Sequence, residues 1–318
     1  MFYHCIFGNR NNNTYYRKGG ERRVRFLLKE RYIWIIFLSF LLFIAACNPQ
    51  SDGELYNEND IRHNLEGLDA DSEVLYGKEI FDNTKEVVPD NVGNELSCLS
   101  CHGDGGLNQN SPMVGVTKKF PMERRGDYTT IEDRINGCFI RSMNGTELEE
   151  DSKELNAMVA YFDFISEGIH SEDDITWRME NEMEDMPAPD VVDGEELFVD
   201  KNCISCHATD GSGTSDHTGP PLWGDDSFNV AAGMAKIEKA AGFIQNNMPK
   251  GEAGTLTDQE AADLAAYVLS HDRPDGDPDK VGDYHEDPDR TYMTEDRREK
   301  IRDGTFNWEA LDSVKGDN

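Results

Sequence analysis

Apolar residues recur at helical spacing in segments that open and close two similar stretches of chain. Val74, Leu75, Ile80 and Phe81 lie on one helical stripe near the start of the first stretch, and Leu264, Ala265, Tyr267 and Val268 on another near the end of the second. The pattern occurs twice in one order. GKEIF at Gly77–Phe81, CLSCH at Cys98–His102 and NAMVAYFDFIS at Asn156–Ser166 are followed by GEELF, CISCH and DLAAYVLS. From the motif histidine to the tyrosine of the closing helix is 59 residues in the first copy (His102 to Tyr161) and 60 in the second (His207 to Tyr267). Agreement that close argues for duplication. Thr257 followed three residues later by Glu260 is a capping-box pattern that starts the last helix of the repeat. No segment alternates persuasively with the period of a strand, so the fold class reads as all-α, with two tandem domains.

The expected organisation is a leader over 1–46, a linker over 47–69, a first domain over 70–168, a second linker over 169–189, a second domain over 190–272 and an acidic extension over 273–318. Residues 167–192 are acidic and end in Met186-Pro-Ala-Pro189, which suits a solvated linker. After Ser270 the chain turns rich in Asp, Gly and Pro, with Trp308 as its apolar anchor, and reads as extended and peripheral.

The N-terminus carries Arg17, Lys18, Arg22, Arg23, Arg25, Lys29 and Arg31, then an apolar run of 15 residues from Tyr32 to Ala46 that stops at Cys47. That is shorter than the roughly 20 residues a spanning helix needs, and it has the layout of an export signal. Ile44-Ala45-Ala46-Cys47 resembles the lipobox of bacterial lipoproteins. The resemblance implies an exported lipoprotein of the periplasm or cell envelope, anchored to the membrane through lipid on Cys47, with Cys5 lost in the leader.

Without residues 1–46, 23 basic residues face 61 acidic ones, a formal charge of −38. Such a field repels nucleic acid and small anions and favours basic electron-transfer partners or simple solubility.

C-x-x-C-H is the haem-attachment pattern: two thiols add to the porphyrin vinyl groups and the adjacent histidine lies under the iron. Two copies in register within a duplicated helical frame predict two covalently bound haem c groups, on Cys98 and Cys101 with His102, and on Cys203 and Cys206 with His207. A zinc site would need a second cysteine pair for the same metal, and a disulfide scaffold a smaller, cysteine-dense chain.

The second copy resembles class I cytochromes c throughout: an opening helix, C-x-x-C-H, Gly219-Pro-Pro-Leu222, Asn247-Met248-Pro249 and a closing helix with Tyr267. In that family the Gly-Pro-x-Leu segment supports the histidine side and the later methionine supplies the sixth ligand. The resemblance therefore implies Met248 as ligand of the second iron, with Met234 and His217 as rivals.

The first copy holds one cysteine beyond those needed for haem and lipid. Cys138 lies 36 residues after His102, in the slot that Met248 occupies 41 residues after His207. Internal alignment makes the Cys138 sulfur a candidate ligand of the first iron. Met143, five residues on, is the alternative, with Cys138 then a buried structural residue.

The string INGCFIRSMNG, with upstream Arg124 and Arg134, resembles the thiosulfate dehydrogenase family of dihaem cytochromes over roughly residues 70–270. The resemblance implies that Cys138 ligates the active-site haem and acts on sulfur, while Arg124, Arg134 and Ser142 bind the dianionic substrate. Residues 117–141 hold six basic side chains against four acidic ones, a mildly positive island in an acidic chain. Arginine's planar fork of donors suits tetrahedral oxyanions; ion pairing with Glu123 and Asp133 is the structural alternative. The chain has Asn247 where some relatives have a lysine that ligates the oxidised second haem, so exchange by that lysine is not open to it.

The resemblance implies oxidation of thiosulfate to tetrathionate, with electrons leaving through the second haem to an acceptor such as a small cytochrome c. A non-catalytic dihaem carrier with Met143 on the first iron, and a sulfur-oxidation cytochrome acting on a partner protein, are the two alternatives.

Overall fold

The computed structural model describes residues 58–108, 110–124, 127–171, 174–175, 181–215, 219–281 and 291–314. The leader and Cys47 lie outside these residues. Among the described residues no helix is long and apolar enough to cross a membrane.

The first module begins with α1 (Glu58–Glu66) and α2 (Glu73–Asp82), followed by the single turn α3 (Thr84–Val87) and a 3-10 turn at Cys98–Ser100. A two-stranded antiparallel hairpin, β1 (Met122–Arg124) and β2 (Asp127–Thr129), precedes α4 (Ile131–Arg141) and the closing helix α5 (Lys153–Ile165). The second module repeats the frame with α6 (Val191–Asp200), the short α7 (Ile204–His207), α8 (Ile237–Asn247) and α9 (Asp258–Ser270). The chain ends with α10 (Pro278–Val281) and α11 (Glu295–Arg302).

In each module the opening helix crosses the closing helix at a glycine. A Cβ on Gly77 would stand 1.9 Å from the Ala157 carbonyl oxygen and 2.9 Å from Tyr161 Cβ. One on Gly194 would stand 2.1 Å from the Asp263 carbonyl oxygen and 2.9 Å from Tyr267 Cβ. The aromatic four residues later packs on the same tyrosine: Phe81 and Tyr161 have ring centroids 5.7 Å apart, and Phe198 and Tyr267 5.4 Å apart. The repeated G-x-x-x-F is thus a crossing device, in which glycine lets the backbones approach and phenylalanine fills the space beyond. Phe81 and Tyr161 are fully buried, each contributing on the order of 1.5–3 kcal/mol from burial.

The start of α9 is as the capping box predicts: Thr257 Oγ1 accepts from Glu260 N–H at 3.2 Å and Glu260 Oε2 from Thr257 N–H at 2.9 Å. A second box, Thr130 with Asp133, starts α4.

Three expectations are corrected. The fold is mostly helical but contains the β1–β2 hairpin, whose three-residue strands are too short to leave a period-two signal. The segment after the first module is not a solvated linker. Ile169, Ile175, Met183 and Met186 are buried, and Gln259 Nε2 of α9 donates to the Ala188 carbonyl. Glu182, Glu184 and Asp185 are exposed, while Met183 and Met186 between and beside them are buried and anchor the segment. The C-terminal extension is not simply extended and peripheral either: α11 packs on α9, Met293 and Ile301 are buried, and Arg302 donates to the Ser270 carbonyl at 2.6 Å and Asp272 at 2.9 Å. Met186 N–H donates to the Ser313 carbonyl, tying the intermodule segment to the chain end.

Both modules belong to one compact unit, and asparagines join them. Asn229, fully buried, donates through N–H to the Arg141 carbonyl at 3.2 Å and through Nδ2 to the Ile140 carbonyl at 2.9 Å. Asn94, 1% exposed, donates through Nδ2 to the carbonyls of Ser142 at 2.8 Å and Ser227 at 3.0 Å. The carbonyls at a helix C-terminus have no intrahelical partner. Here the second module caps those of α4, and so fixes that helix across the interface.

Candidate functional site

Each C-x-x-C-H lies on a tight turn that brings its two thiols and its imidazole together. His102 N–H and His207 N–H donate to the carbonyls of Cys98 and Cys203, both at 2.9 Å. The rings are oriented alike: His102 Nδ1 is 3.0 Å from the Ser111 carbonyl oxygen, and His207 Nδ1 is 2.8 Å from that of Pro220. A carbonyl can only accept, so it holds the proton on Nδ1 and leaves the Nε2 lone pair as the metal-binding one. Burial also pushes the His207 pKa down, favouring the neutral ring a metal requires.

The supporting loops correspond. Met113 N–H donates to the Gly106 carbonyl at 2.7 Å and Leu222 N–H to the Gly211 carbonyl at 2.8 Å. A Cβ on Gly219 would stand 1.9 Å from the Cys206 carbonyl oxygen, so the Gly-Pro-Pro-Leu segment fits beneath its motif only with glycine there. Ser111 is missed by sequence reasoning, although it and Pro220 share a signal: each immediately precedes a proline downstream of its motif.

These residues fit haem c. Cys98, Cys101, Cys203 and Cys206 are free of disulfides, as addition to vinyl groups requires. Burial pushes the Cys98 thiol up to about 12 and Cys101 up to about 11, so both are neutral before attachment. Among the described residues no group of three or more His, Cys, Asp or Glu is placed to hold a bare metal ion.

Cys138 sits on α4 beside the first motif, close enough that its charge raises the pKa of both Cys98 and Cys101. Arg134, one turn earlier, donates through Nη1 to the Cys138 sulfur at 2.8 Å. Ser142, one turn later, donates its N–H to the Cys138 carbonyl at 2.8 Å. The spacing of four puts Arg134, Cys138 and Ser142 on one face of the helix, and the arrangement joins a soft nucleophile to a fixed cation. Arg124 is on β1, its backbone paired with Asp127, and its side chain lies outside the described residues.

Met143, the rival ligand, is 4% exposed and belongs to the apolar core, its carbonyl accepting from Gly93 N–H at 2.9 Å. Met248 is half-buried at the C-terminus of α8, where its N–H donates to the Ile244 carbonyl. Met234 is partly buried against the core, and His217 lies outside the described residues.

The frame of crossed helices and C-x-x-C-H turns is that of a tandem c-type cytochrome. Residues 191–272 match the family described as cytochrome c, and residues 84–170 that described as SoxA/TsdA, cytochrome c domain. The chain is 40% identical over 220 residues to the thiosulfate dehydrogenase of Allochromatium vinosum, a match covering 63% of this chain and 78% of that protein. It is 39% identical over 212 residues to the thiosulfate dehydrogenase of Psychrobacter arcticus, covering 63% of each. A solved structure of the thiosulfate dehydrogenase TsdBA from Marichromatium purpuratum superposes with a TM-score of 0.62 at 31% identity, covering 70% of this chain and 50% of that one. The chain thus spans half the length of that solved protein. It belongs to the thiosulfate dehydrogenase family, and is an oxidoreductase of that kind.

Proposed function

We propose that this chain oxidises thiosulfate to tetrathionate, reversibly, and passes the electrons to an external acceptor such as a small cytochrome c. Two thiosulfate dianions lose one electron each and join through a new bond between their terminal sulfurs. Two covalently bound haems, on Cys98/Cys101 and Cys203/Cys206, supply one-electron storage. His102 and Cys138 are the ligands assigned to the first iron, His207 and Met248 those assigned to the second.

The observation that carries this reading is the Arg134 Nη1 contact with the Cys138 sulfur at 2.8 Å, beside the first attachment pair. The Arg134 guanidinium sets a cationic donor directly against that sulfur. The same guanidinium has the geometry to hold a sulfonate oxygen of thiosulfate while its terminal sulfur approaches Cys138. Arg124 and Ser142 complete the anion site by correspondence with the family's motif.

The N-terminal pattern supports export to the cell envelope with a lipid anchor on Cys47. Purified dihaem protein mixed with thiosulfate and ferricyanide tests the activity: tetrathionate, one per two ferricyanides consumed, supports it, and ferricyanide left unreduced overturns it.

A further inference from the structure

Between the two motifs lies a polar bridge to which the reaction as proposed assigns no role. Asn181, in the segment joining the modules, donates through Nδ2 to the Asn110 carbonyl and to Ser111 Oγ, the latter at 2.6 Å. Its Oδ1 accepts from Asn246 Nδ2 at 3.0 Å and from Asn247 Nδ2 at 3.5 Å. Asn110 Nδ2 closes the loop by donating to the Asn246 carbonyl at 2.6 Å. Both ends of the bridge reach an iron ligand. Ser111 holds His102 Nδ1 through its carbonyl, and Asn247 is bonded in sequence to Met248.

The amide of Asn181 is used in full, with both donors on the first module and its acceptor oxygen on the second. Asn110 and Ser111 are buried, each 8% exposed, so the bonds are shielded from competing water. The segment itself is held rigidly along α8: Met183 N–H donates to the Glu238 carbonyl at 3.0 Å, and a Cβ on Gly242 would stand 2.6 Å from Glu182 N.

We infer that Asn181 is a positioning residue that holds the His102 support and the Met248 segment in one register, and so sets the passage of an electron from the first iron site to the second. The transfer makes and breaks no bond: the first site is oxidised and the second reduced. The inference rests on the two-haem reading and not on the identity of the substrate.

The test is Asn181→Leu in the dihaem holoprotein, without thiosulfate. Leucine matches the side chain in size and makes none of the bonds. Electron equilibration between the sites is followed after pulsed reduction, with the near-infrared band of methionine-ligated ferric haem as a second readout. The rate is expected to fall measurably below that of wild type, and the band to weaken or shift. An unchanged rate and band overturn the inference. Should Asn181→Leu fail to accumulate, Asn246→Ala decides by the same two readouts: an altered band and slowed equilibration support it, and wild-type behaviour overturns it. Thiosulfate turnover, measured separately, reports on the substrate reading alone.

Discussion

Arg134 donates through Nη1 to the sulfur of Cys138 at 2.8 Å, one helical turn away on α4. Hydrogen bonds to charged groups contribute about 1.5–3 kcal/mol, so Arg134→Ala should lower kcat/KM for thiosulfate roughly 10- to 150-fold. Arg134→Lys keeps the charge without the fork and should recover part of that loss. Steady-state kinetics of the three proteins check this; equal activity in all of them would remove Arg134 from the site.

Met143 and Cys138 make opposite predictions. With its side chain in the core, Met143→Leu is a volume-conserving exchange that should cost less than about 1.5 kcal/mol and leave the visible spectrum of the first haem unchanged. Loss of a ligand band in this variant would identify Met143 as the ligand instead.

The helix crossings predict a paired stability effect. Alanine ordinarily favours a helix over glycine by about 1 kcal/mol, yet at Gly77 and Gly194 its Cβ would collide with the carbonyls of Ala157 and Asp263. Gly77→Ala and Gly194→Ala should each destabilise the holoprotein by about 1–3 kcal/mol or more, read as lower denaturant midpoints.

His271 stacks on Trp223 with ring centroids 3.9 Å apart and meets the Tyr267 carbonyl through Nδ1 at 2.8 Å. Burial, reinforced by the charges of Arg273 and Arg302, pushes its pKa below the ordinary histidine value, against the opposing pull of the Tyr267 carbonyl. The unfolded chain then takes up this proton first as pH falls. Its contribution is therefore fully present above about pH 6.5 and is lost as pH drops toward the folded value. Unfolding midpoints of wild type and His271→Gln, compared between neutral and mildly acidic pH, should show a steeper decline in wild type.

The parts of the fold legible in the sequence are those made by local pattern. Periodicity located α2 and α9, the Thr257/Glu260 box located the start of α9, and the duplicated G-x-x-x-F and C-x-x-C-H strings established the tandem frame. Arg134, Cys138 and Ser142 carry their shared face in their spacing. The long-range contacts were not legible. Nothing local announces that Asn229 caps α4 from 89 residues away, or that Asn181 reaches both Ser111 and Asn246. An acidic segment such as 181–185 reads as solvated because its charges outnumber the few residues that anchor it.

The central claim is that the Cys138 sulfur ligates the first iron and takes part in the oxidation of thiosulfate. Low-temperature EPR of the oxidised holoprotein tests it, comparing wild type with Cys138→Ala and Cys138→Met. A low-spin thiolate signal in wild type that disappears from both variants, together with thiosulfate-dependent ferricyanide reduction, is the predicted result; a histidine–methionine spectrum that neither substitution changes would contradict it.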